Sequence, residues 1–287
     1  VTVISGGVCS LTECIDNIKG LLYGFYPGQE AGSALADVVF GHVNPAGRMP
    51  VTMPKSDSQL PPFDDDHRNH IVGVGYRWYD AQDLEPQFAF GFGLSYTTFA
   101  YSNLRLIDNE VGPGPDLRAM VDVTNTGDRA GDEVVQLYLQ DIEASVIMPQ
   151  KQLRGFERIH LKPGESQTVE LPISAQALSF WDVESKAFVV EAGDFVAMVG
   201  GSSDNLPLQA GFRIQETYTV PRPEPMPEVI SPPYTGPNPM DREASNPMFR
   251  FHAKDYDHAS AELEMHEGGL ILRSGDWIGF DNIDLGS

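Results

Sequence analysis

The chain has 287 residues, 41% of them hydrophobic, which is long enough for two or three domains with a sizeable core. Its net charge of −22 argues against nucleic acid or anionic membrane surfaces as partners and suits neutral ligands. No apolar run approaches the ~18 residues of a membrane-spanning helix.

In chain order, Val1–Ile4 reads as a short buried strand broken by Gly6 and Gly7, Leu11–Ile18 as a short helix, and Leu21–Phe25 as the next strand. Cys9 and Cys14, the only cysteines, are spaced for neither zinc nor redox chemistry, so two ordinary thiols and a local disulfide both stay open. Tyr26-Pro27-Gly28-Gln29-Glu30 then forms a turn. Behind it Leu35, Val38 and Val39 share one face of a helix that Gly41 stops. Glu30 is placed in the first helical turn, where the helix dipole favours an anion.

From Pro54 to about Ser95 the chain turns irregular and rich in proline and aromatics, which predicts a strap crossing to the next domain. Beyond it the period changes. Leu117, Ala119, Val121 and Val123 alternate with Arg118, Met120, Asp122 and Thr124, as in a half-buried strand. Val135, Leu137 and Leu139 alternate with Gln136, Tyr138 and Gln140 after the turn at Asn125–Asp128. Further strands follow at 157–161, 168–173, 188–190 and 195–199, separated by turn residues such as Pro163-Gly164 and Gly193. Short strands and frequent turns indicate a β-sandwich. Between Pro221 and Pro247 fall nine of the 22 prolines, the composition of a semi-stiff spacer, although an ordered strap packed on the sandwich is also open. The last forty or so residues regain apolar content.

Four motifs occur in order: FYPGQEAGSALADVVFG (25–41), NPAGRMPVTMP (44–54), YRWYD (76–80) and FAFGFGLSYTTF (88–99). Together they resemble the C-terminal half of family 3 glycoside hydrolases, the β-glucosidase and β-xylosidase group, over about residues 1–214. LRGFERIHLKPGESQTVEL (153–171) and VVEAGDFVAMVGGSS (189–203) resemble the fibronectin-III-like domain of that family. Where many members carry an arginine before the proline in the preceding loop, this chain has Val146-Ile147-Met148-Pro149. FHAKDYDHAS (251–260) and SGDWIGFDNIDLGS (274–287) resemble the opening of a family 6 carbohydrate-binding module.

The expected organisation is therefore multidomain. A partial α/β sandwich segment with its strap (1–103) is followed by a fibronectin-III-like β-sandwich (104–215). A proline-rich linker (216–248) then leads to a truncated β-sandwich module (249–287).

Retaining glycoside hydrolysis needs two carboxyl groups roughly 5 Å apart on either side of the scissile bond. The resemblance implies an aspartate nucleophile on an N-terminal (β/α)8 barrel and an acid/base glutamate ahead of the strand at Val1–Ile4. No residue here matches either motif, so no catalytic position is assigned, nor any cofactor or metal site.

Three weaker candidates remain. Glu30 sits beside a glycine turn, but a helix entry stabilises its anion, the wrong bias for a general acid. Asp64-Asp65-Asp66-His67 with His70 has metal-ligand residue types but no periodicity to hold them, so a solvated acidic loop is the plainer reading. Trp277 reads as a core residue before a sugar platform, and Lys254 stands in the His252–Tyr256 stretch where related modules place calcium-binding glutamates.

The expected whole is an extracellular or periplasmic glycosidase acting on oligosaccharide or polysaccharide, of which this sequence reads as the inactive supporting part. A non-catalytic carbohydrate-binding or adhesion protein is the rival, though it gives no reason for the α/β segment. Unpaired sheet edge is expected in residues 1–100.

Overall fold

The computed structural model describes residues 1–62, 73–107 and 117–221, together with four two-residue strands between 258 and 279. Two compact units divide the chain, Val1–Pro223 and Glu224–Ser287.

The first unit opens with β1 (Thr2–Val3) and β2 (Leu22–Tyr23), paired in parallel with Thr2 opposite Leu22. Parallel strands need a crossover between them. Here it holds only a single 3-10 turn, Ile15–Asn17, in place of the helix expected over Leu11–Ile18. That stretch offers no apolar face to bury: of its residues only Leu11 is buried. Val1 and Ile4 are 69% and 57% exposed, so the strand expected to be buried lies open.

Gly28 at φ +75° makes the turn into α1 (Ala31–Val39), and Gly41 at φ +74° ends it, both in the left-handed region where glycine is unstrained. Glu30 occupies the N-cap position, just before the first turn, and makes no side-chain capping bond. No residue of α1 is buried.

The strap is more ordered than its composition suggests. Residues 49–53 run against 87–92 in an irregular ladder, with Met49 N–H donating to Phe92 O, Gly91 N–H to Met49 O, and Met53 N–H to Phe88 O, each at 2.8 Å. Met53 is fully buried there. Between these runs lies α2 (Tyr76–Ala81), which buries Tyr76 and Tyr79. The acidic run at residues 64–67 and His70 lie outside the described residues.

The sandwich is built from β3 (Phe99–Ile107), β4 (Leu117–Asn125), β5 (Gly131–Asp141), β6 (Gln152–Leu161), β7 (Ser166–Ile173), β10 (Gly193–Gly200) and β11 (Leu208–Ile214). One sheet has the order β11-β10-β5-β6 and the other β3-β4-β7. A third sheet, from β8 (Phe180–Asp182), β9 (Ala187–Val190) and β12 (Tyr218–Val220), follows a short α3 (Ala175–Leu178). The strand β3 runs through the 103/104 position at which the sequence reading divided the domains, and it pairs with β4 from Phe99↔Asn125 onward.

The core lies between the two larger sheets. Leu117, Ala119, Val121 and Val123 of β4 and Val169, Leu171 and Ile173 of β7 meet Val135 and Leu137 of β5 and Ala197 and Val199 of β10. Each fully buried Val, Leu or Ile contributes roughly 1.5–3 kcal/mol.

β5 departs from simple alternation, because its other face is buried as well. Tyr138 and Met198 pack there against Tyr76 and Phe90 of the strap, with Leu153 alongside. The strap therefore forms a third layer over the central strands.

In the second unit, β13 (His258–Ala259) pairs antiparallel with β16 (Ile278–Gly279), and β14 (Met265–His266) with β15 (Gly269–Leu270). Trp277 and residues 252–256 lie outside the described residues.

Candidate functional site

Glu30, the strongest sequence candidate for a catalytic carboxylate, is exposed at the entry to α1. Its Oε2 accepts a hydrogen bond from Ser33 Oγ at 3.2 Å. No second carboxylate is joined to it by any hydrogen bond among the described residues. Cys9 and Cys14 are both free thiols, which decides between the two open readings, and Cys9 Sγ lies 3.2 Å from Tyr23 Oη.

The polar residues that the fold does bring together form a seam between the strap and the sandwich. It starts in the loop that opens NPAGRMPVTMP. Asn44 Oδ1 accepts from Tyr96 N–H at 2.8 Å and Ser95 Oγ at 3.0 Å, while its Nδ2 donates to Ala130 O at 3.0 Å. Four residues on, Arg48 donates from Nη1 to Gly93 O and from Nη2 to Glu133 Oε2, both at 2.7 Å. Glu133 Oε1 accepts in turn from Tyr101 Oη at 2.9 Å.

The Arg48–Glu133 pair is secluded, with side-chain exposures of 11% and 7%. Burial, then the Glu133 charge and the hydrogen bond it accepts, raise the Tyr101 phenol far above its ordinary value; Arg48 opposes this weakly. The phenol therefore stays a proton donor.

Glycine is needed where the strap comes closest. A Cβ on Gly93 would stand 2.3 Å from Gly47 O, and one on Gly91, at φ +80°, would stand 2.3 Å from Gln136 Oε1. Gln136 Nε2 donates to Gly91 O and Gly201 O, and its Oε1 accepts from Tyr138 Oη at 2.8 Å. Tyr138 is fully buried and meets Tyr76 edge-on at 5.7 Å between ring centres. Burial carries its phenol above the ordinary range too. Beyond Tyr76, α2 holds to the start of β6: Leu153 N–H donates to Tyr76 Oη at 2.9 Å, and Lys151 Nζ pairs with Asp80.

Chemically, this seam fixes orientation. Its one buried carboxylate, Glu133, has one oxygen on the Arg48 guanidinium and the other on the Tyr101 phenol. The motifs FAFGFGLSYTTF, NPAGRMPVTMP and YRWYD thus meet on the sandwich. Sequence reading missed Arg48, Glu133 and Gln136 as partners. The available signal was a glutamate and a glutamine inside an apolar strand, residues that burial tolerates only when paired.

Among the described residues no group of three or more His, Cys, Asp or Glu is placed to hold a metal. No helix there is long and apolar enough to cross a membrane. A cleft of about 440 Å³ lies between the segment 83–92 and Asp204.

Comparison with known proteins gives this architecture its relatives. The family model for the Glycosyl hydrolase family 3 C-terminal domain matches residues 1–96, and that for the Fibronectin type III-like domain matches residues 133–203. The thermostable beta-glucosidase B of Acetivibrio thermocellus is 39% identical over 77% of this chain and 30% of its own length. A beta-xylosidase of Formosa agariphila is 41% identical over 71% of this chain and 28% of its own length. A periplasmic beta-glucosidase of Salmonella typhimurium is 38% identical over 71% of this chain and 27% of its own length. Among solved structures, the beta-D-glucoside glucohydrolase of Trichoderma reesei superposes with a TM-score of 0.70 at 32% identity, over 74% of this chain and 33% of its own. The chain thus spans a third or less of the length of these proteins. Residues 1–96 are similar to the glycosyl hydrolase family 3 C-terminal domain, and the sandwich to which the seam joins them is similar to the fibronectin type III-like domain, in a chain whose relatives are named as β-glucosidases and a β-xylosidase.

Proposed function

We propose that this chain is the supporting, C-terminal part of a retaining β-glycosidase that removes terminal β-linked glucosyl or xylosyl units from oligosaccharides or polysaccharides. The match of residues 1–96 and 133–203 to the two domain models, together with the β-glucosidase and β-xylosidase relatives, carries this reading. The reacting carboxylates then belong to an N-terminal (β/α)8 barrel and to the part of the α/β domain ahead of Val1. The open edge supports this. Val1, Ile4, Val39 and Phe40 are more than half exposed, an apolar surface suited to further α/β elements. A periplasmic relative supports a site of action outside the cytoplasm.

In this arrangement the sandwich holds the α/β domain in place through the seam. Residues 249–287 then serve as the start of a carbohydrate-binding module that keeps the enzyme on its polymer. A two-carboxylate mechanism requires no cofactor.

The test is turnover of an aryl β-glucoside or β-xyloside. The 287-residue chain alone is expected to release no aglycone above background, and Glu30→Gln to change nothing. The same chain extended upstream by the barrel is expected to be active. Turnover by the 287 residues that Glu30→Gln abolishes overturns the proposal.

A further inference from the structure

The cleft of about 440 Å³ beside the segment 83–92 has walls that the backbone fixes in three places. Along the strap, Gln87 N–H donates to Met53 O, and the N–H groups of Met53 and Met49 donate to Phe88 O and Phe92 O, each at 2.8 Å. That ladder sets the half-buried rings of Phe88 and Phe92 one on the other, 5.4 Å between centres and 22° between planes. At the start of the segment, Leu84 N–H donates to Tyr79 O of α2 at 2.9 Å, and Asp83 beside it holds a φ of +51°. Facing the segment, Asp204 stands in a turn that Asn205 N–H closes onto Ser202 O at 3.2 Å. Ser203 N–H ties this turn to Phe90 O of the strap at 2.9 Å. Ser202 and Ser203 are buried while Asp204 is exposed. A cleft built this way needs little ordering when it fills.

Its lining carries charge of one sign. Asp83, Glu85 and Asp204 contribute carboxylates, and no lysine or arginine lines it. Lys55 reaches Glu85 at 2.7 Å, which offsets only one of the three. The rest of the wall is apolar, with Leu84, Pro86 and Ala89 beside the two rings. Ring faces are electron-rich, so aromatic wall and carboxylates attract the same kind of group. A bare metal ion would need converging oxygens where this wall presents carbon, and a neutral ligand would leave the charge unused.

We propose that this cleft binds a small organic cation, an ammonium group carried on a compact carbon body. The ammonium lies between the ring pair and Asp204, and its body fills the apolar part of the wall. An alkylammonium and an amino sugar offer the same contact chemistry. The cleft asks nothing of the reacting carboxylates and stands whether or not the longer protein cleaves glycosides.

Titration calorimetry of the 287-residue chain at constant ionic strength, with sodium as the background cation, tests this. Tetramethylammonium or glucosamine is expected to bind saturably, with a Kd of roughly millimolar and about one per chain, and glucose and N-acetylglucosamine not to bind. The tighter of the two cations identifies the body that the cleft prefers. Asp204→Asn is expected to weaken binding about fivefold, and Asp83→Asn, which tolerates the same φ, to weaken it further in combination. Phe88→Leu keeps apolar bulk but removes a ring face and is expected to cost about another fivefold. Should Phe88→Leu fail to fold, the two surface aspartates still carry the test.

No saturable heat with either cation overturns the proposal. So does binding of glucose or N-acetylglucosamine as tight as that of glucosamine, which makes the cleft a site for neutral sugars. Undiminished binding in the doubly substituted Asp83→Asn, Asp204→Asn chain shows only diffuse attraction to an acidic surface and overturns it too.

Discussion

The segment 1–43 and the sandwich from Phe99 to Ile214 are both made of short elements, yet only one of them has an interior. In the sandwich Leu117, Val121, Leu137, Leu161 and Ile214 are essentially inaccessible to solvent. In the first 43 residues only Leu11 is buried, and Val39 of α1 and Phe40 just after it are more than half exposed. Turns and helix ends are local and form in either setting: Gly28 and Gly41 make their left-handed turns without a packed layer behind them. Burial is not local, because an apolar face counts only when another layer covers it.

The largest effect is expected where the two regions are joined. Glu133→Ala leaves the Arg48 guanidinium secluded and unpaired, and is expected to cost about 3–5 kcal/mol in urea unfolding. A double change, Arg48→Met with Glu133→Leu, removes both charges and is expected to recover most of that loss. A loss below about 1 kcal/mol for Glu133→Ala alone shows that water reaches the seam, and separates strap from sandwich energetically.

Next in size is the contrast within each region. Leu137→Ala empties space in the centre of the sandwich and is expected to destabilise by about 2–5 kcal/mol. Val39→Ala, on the exposed face of α1, is expected to stay within about 0.5 kcal/mol. Equal losses at the two positions erase the comparison. If upstream elements cover α1 in the longer protein, Val39→Ala becomes costly there and not in the 287-residue chain.

Hydrogen exchange sharpens the same contrast without mutation. Amides of β5, paired on both sides by β10 and β6, are expected to exchange only through global unfolding. Those of β1 and β2, a two-residue parallel pair, are expected to exchange at least a hundredfold faster; at about 1.4 kcal/mol per factor of ten this asks for a modest difference in local stability. Equal protection contradicts an open edge.

How far the sequence revealed this follows from the same division. Strands β4, β5, β7 and β10 were legible because alternation with period two records burial on a face. β3 escaped notice because Asn103, at φ +54°, sits in an irregularity between Ser102 and Arg105 that breaks the alternation. β6 begins five residues earlier than its apolar pattern suggested, where Gly155 and Arg154 interrupt the apolar residues. Helix α2 is six residues long and aromatic, and tertiary contacts from Tyr76 and Tyr79 override its weak propensity. The seam was illegible for a different reason. A glutamate inside an apolar strand signals that Glu133 needs a partner, but no local pattern records that it is Arg48, 85 residues away. Their motifs were recognisable as family text, but what they do became visible only in three dimensions.

The smallest effect concerns acid stability on the outer face of the sandwich. Asp122 of β4 accepts from Thr168 Oγ1 of β7 at 2.6 Å and from Asn103 Nδ2 of β3 at 2.9 Å, with Arg105 at 3.5 Å, so one carboxylate ties three strands. The Thr168 bond first, then the Asn103 bond, hold its pKa below the ordinary aspartate value. A folded-state pKa depressed below the unfolded one adds stability above the unfolded pKa of about 3.9, which is lost as pH falls through the folded value. Asp122→Asn is therefore expected to lower Tm slightly at pH 7 and to flatten the decline in Tm below about pH 4. The carboxylate lies at the surface and is only partly covered, so the effect is small, and raised salt is expected to shrink only its Arg105 part. The first 43 residues make no comparable tie among the described contacts. If Asp122→Asn leaves the acid limb unchanged, the sandwich owes its cohesion to its buried face alone, and the difference between the two regions reduces to covered apolar surface.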